Sequence, residues 1–183
     1  MQLFEESRNL VVLVNEQGEI VGYEDKLKAH QSGALHKAFS VFILNHKDEM
    51  LLQQRGLKKY HFAGLWSNAC CSHPMPEEDL KQAAHRRLQE EMGFDTSLKE
   101  VYSFIYKALD AKSGLYEHEL DFIFVGYYEG DIQPDPEEVN AYQWIKLDQL
   151  YQEVAQEPEK FTEWFKICLS TFQQKKLLYF QAV

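Results

Sequence analysis

The chain is short of positive charge. Lys and Arg together number 19 against 29 Asp and Glu, for a net charge of −10, which argues against broad binding to nucleic acid or to an anionic membrane surface. No apolar run approaches the roughly 20 residues that cross a bilayer. The opening residues, MQLFEESRNL, put acidic side chains ahead of their apolar stretch and lack the basic start of a secretory signal. Cysteine is scarce: there are three, two of them adjacent at Cys70 and Cys71. Neighbouring cysteines rarely bridge each other and an odd count leaves a free thiol, so a reducing compartment fits best. Repeats, low-complexity tracts and Gly/Ser linkers are missing too, which leaves one domain as the simplest organisation. The expectation is a soluble cytoplasmic protein, a monomer or weak homo-oligomer, with no nucleic-acid or membrane partner.

What remains suffices for a folded domain. A chain of 183 residues, 45% apolar and 26% charged, can bury a full core. Leu10 to Val14 and Ile20 to Tyr23 are β-prone runs around the turn signal NEQG. Lys37 to Leu44 and Met50 to Gln54 suggest a hairpin, and Leu65 to Cys71 a short extended segment. Pro76 suits the first turn of a helix, with Glu77, Glu78 and Asp79 at the positive end of its dipole. Leu80, Ala84, Leu88 and Met92 recur at helical spacing, and Gly93 is placed to stop it. Strands follow at Val101 to Ala108, Leu120 to Tyr128 and Ala141 to Leu147, then two helices from Asp148 to Leu178 broken near Pro158. The pattern predicts an α+β fold, a mixed sheet flanked by helices.

Five groups of residues carry possible chemistry. In Cys71-Ser72-His73-Pro74, an extended backbone puts Cys71 and His73 on one face. A thiol beside an imidazole, or beside a metal held by it, has a lowered pKa, although a free cysteine is more often a small buried residue. In Glu117-His118-Glu119, the two carboxylates share a strand face, as a metal site or a carboxylate of raised pKa requires, or as any solvated strand end allows. Of seven histidines, His30, His36 and His73 flank predicted strands, and mixed His/Glu ligation suits zinc or another divalent ion. His46, His61, His85 and His118 read as surface or packing residues. Arg87 and Glu91 lie one helical turn apart, either as a surface pair or with Glu91 turned inward to hold a hard cation. Arg55-Gly56-Leu57-Lys58-Lys59 is a candidate phosphate cradle or a solvated loop.

Together these segments resemble a known family. The stretch from Ser72 to Phe94 resembles the Nudix box, G-x5-E-x7-R-E-U-x-E-E-x-G-U, with Glu78, Arg86, Leu88, Glu90, Glu91 and Gly93 in place. Ser72 stands at the first glycine, Phe94 at the last aliphatic position, and Arg87 replaces a glutamate of the metal-binding set. With LHKAFSVFILN, LLQQR, GLWSNACCSHP and YEHELDFIF, the likeness is to the type I isopentenyl diphosphate isomerases of the Nudix superfamily, over Leu10 to Leu169. The resemblance implies a Nudix-like domain over residues 1–170 and a C-terminal extension over 171–183, whose LYFQ also resembles a protease-cleavage tag remnant.

The resemblance also implies roles. Cys71 and Glu119 match the catalytic cysteine and glutamate, with Tyr106 assisting. His30, His36, His73, Glu117 and Glu119 match five ligands of a divalent ion (Mn²⁺, Zn²⁺ or Mg²⁺), and Glu91 matches the residue holding Mg²⁺ on the substrate diphosphate. Lys26, Arg55, Lys59 and Arg87 match basic residues near that diphosphate, and Tyr106 and Trp164 the aromatic pair around the isoprenoid. The implied reaction protonates an alkene at one carbon and deprotonates another, through a cation sheltered by aromatic faces. Two other classes are weighed against it. A Nudix pyrophosphohydrolase is disfavoured by Arg87, CSHP and EHE. A non-catalytic Nudix-like binding module is disfavoured because every matched ligand and both acid/base residues are present.

Overall fold

In the computed structural model, which describes residues 8–175, nine strands form one mixed sheet covered by helices on both faces. The strands are β1 (Leu10–Val14), β2 (Ile20–Asp25), β3 (His36–Leu44), β4 (Glu49–Arg55), β5 (Trp66–Asn68), β6 (Cys70–Ser72), β7 (Leu98–Asp110), β8 (Leu115–Tyr127) and β9 (Val139–Lys146). The helices are α1 (Lys26–Ser32), α2 (Leu80–Met92), α3 (Leu147–Gln156) and α4 (Glu163–Lys175), with a 3₁₀ turn at Pro158–Lys160. The readings made on MQLFEES and on LLYFQAV lie outside the described residues, as does the predicted end of the last helix. Among the described residues, no helix is long and apolar enough to cross a membrane.

β3 is the centre of the sheet. Its sequence, HKAFSVFIL, is apolar on both faces because both are covered, as a strand buried between two helical layers requires. Phe42 and Leu44 face α4, meeting Trp164, Phe165 and Phe172, while Phe39, Val41 and Ile43 face α2, meeting Ala84, Leu88 and Met92. β8 runs parallel to β3 over nine paired positions, from His36↔Glu119 to Leu44↔Tyr127. β7 pairs antiparallel along β8. On the other edge of β3, β6 sets Cys71 opposite Ser40.

Several elements differ from expectation. β3 and β4 touch as a hairpin only at Ile43↔Leu51 and Leu44↔Met50; beyond that β4 turns away to pair with β5 and β9. The extended segment at Leu65 to Cys71 is split between β5 and β6, which have different partners. The Nudix helix begins later than Pro76: Asp79 is the N-cap, its carboxylate accepting from the Gln82 amide, so Pro76 and Glu77 belong to the preceding turn. Helix α1 was not anticipated. It is short, opens under an Asp25 cap, and owes its place to burying Ala29 and His30 against the neighbouring sheet.

Gly93 ends α2 as its spacing predicts, in the left-handed region (φ 76°) with its amide donating to Gln89 O at 3.1 Å. A Cβ there would sit 2.2 Å from Gln133 O, a backbone atom that cannot yield cheaply. Gly93→Ala is therefore expected to lower the unfolding free energy by more than about 1 kcal/mol in a urea titration. A smaller change would show that the segment around Gln133 is not fixed against the helix end.

Candidate active site

Strand register assembles the site. Along β8 the inward residues are Glu117, Glu119, Asp121, Ile123 and Val125, so the face that supplies the core at one end supplies three buried carboxylates at the other. The parallel ladder puts His36 beside Glu119, and the antiparallel ladder puts Tyr106 on Glu119's other side. Tyr106 donates its hydroxyl to Glu119 Oε2 at 2.6 Å, while Oε1 lies 2.9 Å from His73 Nε2 and 3.5 Å from His36 Nε2. His118 points the other way, its ring meeting Gly33 O at 2.8 Å.

His30, His36, His73 and Glu117 each turn one ligand atom to a common point, all within 4.8 Å of one another. Nδ1 of His36 donates to Ala34 O at 2.8 Å, which leaves Nε2 with a lone pair. That Nε2 faces His73 Nε2 at 3.2 Å, a separation at which two lone pairs repel unless a proton or a cation lies between them. Both ring nitrogens of His30, Nδ1 of His73 and Oε2 of Glu117 are buried without hydrogen-bond partners among the described residues. Polar atoms so buried are costly unless something completes them. A divalent cation, with borderline nitrogen and hard oxygen donors, fits this donor set. Burial and the charge of Glu119 push the Glu117 carboxyl well up, whereas His36 and His73 outweigh burial at Glu119 and pull it well down.

Cys71, half-buried on β6, lies with its Sγ 3.6 Å from Ser40 Oγ, and Ser40 donates to Asp121 Oδ2 at 2.9 Å. Burial and the nearby Glu119 and Asp121 push its pKa up, not down as the neighbouring imidazole suggested. Burial is the larger cause and the two carboxylates add to it, while His73 lies against Glu119 at 2.9 Å. Cys70 faces the opposite layer, wholly buried among the side chains that meet α2. All three cysteines are free.

The cations collect at the mouth of the same cleft. Lys26, Lys59 and Arg87 line it beside Ser72 and His73, and Arg55 lies deeper, its guanidinium 5.3 Å from the Trp164 ring centre. Glu138 sits among them, paired to Lys59 and, at 3.2 Å, to Arg87; burial opposes its ionisation, but these cations hold its pKa to about 2. Glu91 is turned inward and 4% exposed, with Oε1 on Arg87 at 2.6 Å and Oε2 receiving Gln53 Nε2 at 3.0 Å. Trp164 is fixed by its indole N–H donating to Asn68 Oδ1 at 3.1 Å and by the edge of Phe62.

One cleft thus brings together Lys26, Arg55, Lys59, Cys71, His73, Arg87, Glu91, Glu117, Glu119 and Trp164. His30, His36 and Tyr106 lie directly behind it, through the contacts above. His46 and His85 stand outside: His46 stacks on Tyr127 and His85 pairs with Asp95. His61 does not fit its reading as a packing residue. It is 6% exposed, its ring centre is 4.9 Å from that of His30, and its Nε2 contacts Glu117 Oε1. Asp121, Ser40, Asn68 and Glu138 were also missed. Only Asp121 had a signal, since the alternation that pairs Glu117 with Glu119 reaches it two residues on.

Residues 34–165 match the NUDIX domain family. The fold is similar to the DR0079 protein of Deinococcus radiodurans, with a TM-score of 0.66 at 16% identity over 81% of this chain and 90% of that one. At the level of sequence, the isopentenyl-diphosphate Delta-isomerase of Serratia proteamaculans is 47% identical over 85% of this chain and 87% of its own. A second relative, isopentenyl-diphosphate Delta-isomerase 2 of Aromatoleum aromaticum, is 45% identical over 87% and 84% respectively. The chain belongs to the type I isopentenyl-diphosphate Delta-isomerases, within the Nudix superfamily.

The buried imidazoles give the site a pH signature. Burial pushes His30 down to about 4 and His73 to about 3, from an ordinary 6.5. Between 6.5 and those values the unfolded chain binds protons that these two imidazoles refuse in the fold, so their contribution to stability is full above 6.5 and lost as pH falls. The raised carboxyl of Glu117 works in the opposite sense, so the histidines are best read one by one. In chelator-treated protein the ring signals of His30 and His73 are expected to show no titration step between about pH 7 and pH 5 in an NMR titration. A step near 6.5 would mean that the imidazoles are already charged in the fold.

Proposed function

We propose that this chain interconverts isopentenyl and dimethylallyl diphosphate by moving one proton on and another off the carbon skeleton, with Cys71 and Glu119 as the acid/base pair. The observation that carries this reading is their placement. Cys71 and Ile123 both pair with Ser40, so β6 and β8 flank opposite edges of β3, and Cys71 and Glu119 approach one cleft from either side. A substrate lying between them meets a proton donor on one side and an acceptor on the other. The reaction is reversible, so whichever group donates in one direction accepts in the other.

Tyr106 holds Glu119 Oε2 and leads a proton to or from it. Trp164 offers an aromatic wall to the positive charge that develops on the hydrocarbon. Lys26, Arg55, Lys59 and Arg87 gather the diphosphate, which resolves how so acidic a chain takes an anion. His30, His36, His73, Glu117 and Glu119 would hold a divalent ion, Mn²⁺, Zn²⁺ or Mg²⁺. Its positive charge would bias the protonation of Glu119 and fix its position. Glu91, turned inward beside Arg87, would hold Mg²⁺ on the diphosphate. A hydrolytic reading is less well supported, because Arg87 stands where the Nudix pattern has a metal-binding glutamate and pairs with Glu90, Glu91 and Glu138. The reading also places the protein in the cytoplasm as a monomer or weak homo-oligomer without nucleic-acid or membrane partners. It divides the chain into a catalytic domain over residues 1–170 and an extension over 171–183.

The test is direct. With isopentenyl diphosphate and Mg²⁺ the protein is expected to form the allylic isomer, and Cys71→Ala or Glu119→Gln to reduce kcat by about 10²–10⁴-fold. Cys70→Ala, facing the other layer, should keep most of the activity. Similar losses in the two cysteine variants would overturn the assignment of Cys71, and absence of isomer with the unaltered chain would overturn the activity.

A further inference from the structure

The loop between β4 and β5 presents His61 to the metal centre, and its construction is specific. Gly56 opens it where a Cβ would meet Glu137 O at 2.9 Å, and Gly64 closes it in the left-handed region. Between them Phe62 takes φ 49°, a left-handed conformation that is strained for a bulky residue. Arg55 Nη2 donates to His61 O at 3.3 Å, and the next amide, Phe62 N–H, donates to Asp110 Oδ2 at 2.9 Å. The peptide group that follows His61 is thus held at both its oxygen and its N–H. Asp110 also binds Lys112 N and Ser113 Oγ in the β7–β8 turn, so the loop is fastened to the hairpin that carries Glu117.

We infer that His61 is an outer-sphere partner of the metal centre, donating its Nε2 proton to Glu117 Oε1 so that Glu117 offers the ion only Oε2. Three observations carry this. Nε2 of His61 contacts Oε1, while Oε2 is the oxygen left without a partner in the buried cluster. His61 Nδ1 is buried and unpartnered, as expected of an imidazole whose single proton is on Nε2. And the ligand atoms that converge on one point come from His30, His36, His73 and Glu117, without His61. A histidine kept for packing would not need a strained loop to bring its N–H onto a ligating carboxylate.

The inference rests on the metal reading of the site but not on isomerase turnover, so its test is binding of Mn²⁺ measured by competition with a chelator. His61→Ala is expected to weaken Mn²⁺ by about 10–100-fold, the usual effect of losing an outer-sphere partner. His61→Gln, whose amide N–H has similar reach, should recover part of that loss. The number of histidine nitrogens on the ion, read by pulsed EPR, should be three in both the unaltered protein and His61→Ala. Asp110→Ala should weaken Mn²⁺ as well, yet add nothing in the His61→Ala background. An unchanged Kd in His61→Ala, a fourth histidine nitrogen lost with it, or additive effects of the two variants would each overturn the inference. Failure of the unaltered protein to bind Mn²⁺ would overturn the metal reading along with it, whereas failure to turn over substrate would leave both standing.

Discussion

The parallel pairing of β3 with β8 is the constraint on which the rest depends. In that register, His36 abuts Glu119 at one end and Leu44 abuts Tyr127 at the other, so core and metal site are two ends of one ladder. A slip of one residue would turn Glu117, Glu119 and Asp121 out of the cluster and Ile123 and Val125 out of the core together. The hydrophobic face therefore enforces the polar one. Burial of Phe42, Ile123 and Val125 under α4 holds three carboxylates where they would not otherwise gather.

Around that ladder the charges are arranged in two layers. The inner layer is negative, with histidines turned onto it. The outer layer is positive, and much of it is neutralised internally by Glu138, Glu90 and Glu91. An anionic substrate therefore arrives at cations whose present partners are also anions, and its binding is an exchange of one set of ion pairs for another. Such exchanges cost less desolvation than burying new charge, which suits a site this deep.

Much of this was legible in the residues themselves. Alternation along LYEHELDFIF placed Glu117 and Glu119 together and His118 apart, and the helical spacing of Ala84, Leu88 and Met92 with Gly93 after it gave α2 and its end. The resemblance carried Tyr106 onto Glu119, which pattern alone would not have joined. What stayed hidden depends on contacts distant in sequence. His61 has an unremarkable place in its loop, and only Asp110, 49 residues further on, and the hairpin it belongs to bring that ring to Glu117. Cys71 next to His73 suggested an activated thiolate. The fold instead gives His73 to Glu119 and surrounds the sulfur with carboxylates. Helix α1 escaped because so short a segment has little signal apart from the sheet it packs on.

Trp164 lies on α4, while the segments that hold the carboxylates, histidines and Cys71 are complete by Tyr127. On a ribosome, where domains form from their N-terminal side, the polar half of the site emerges well before the aromatic wall that covers it. The nascent chain therefore carries its ion-binding groups out before α4 arrives to bury Phe42, Ile123 and Val125. The polar site is completed only when the last helix docks, and a substitution on the inner face of α4 acts on the strand register as well as on the apolar wall.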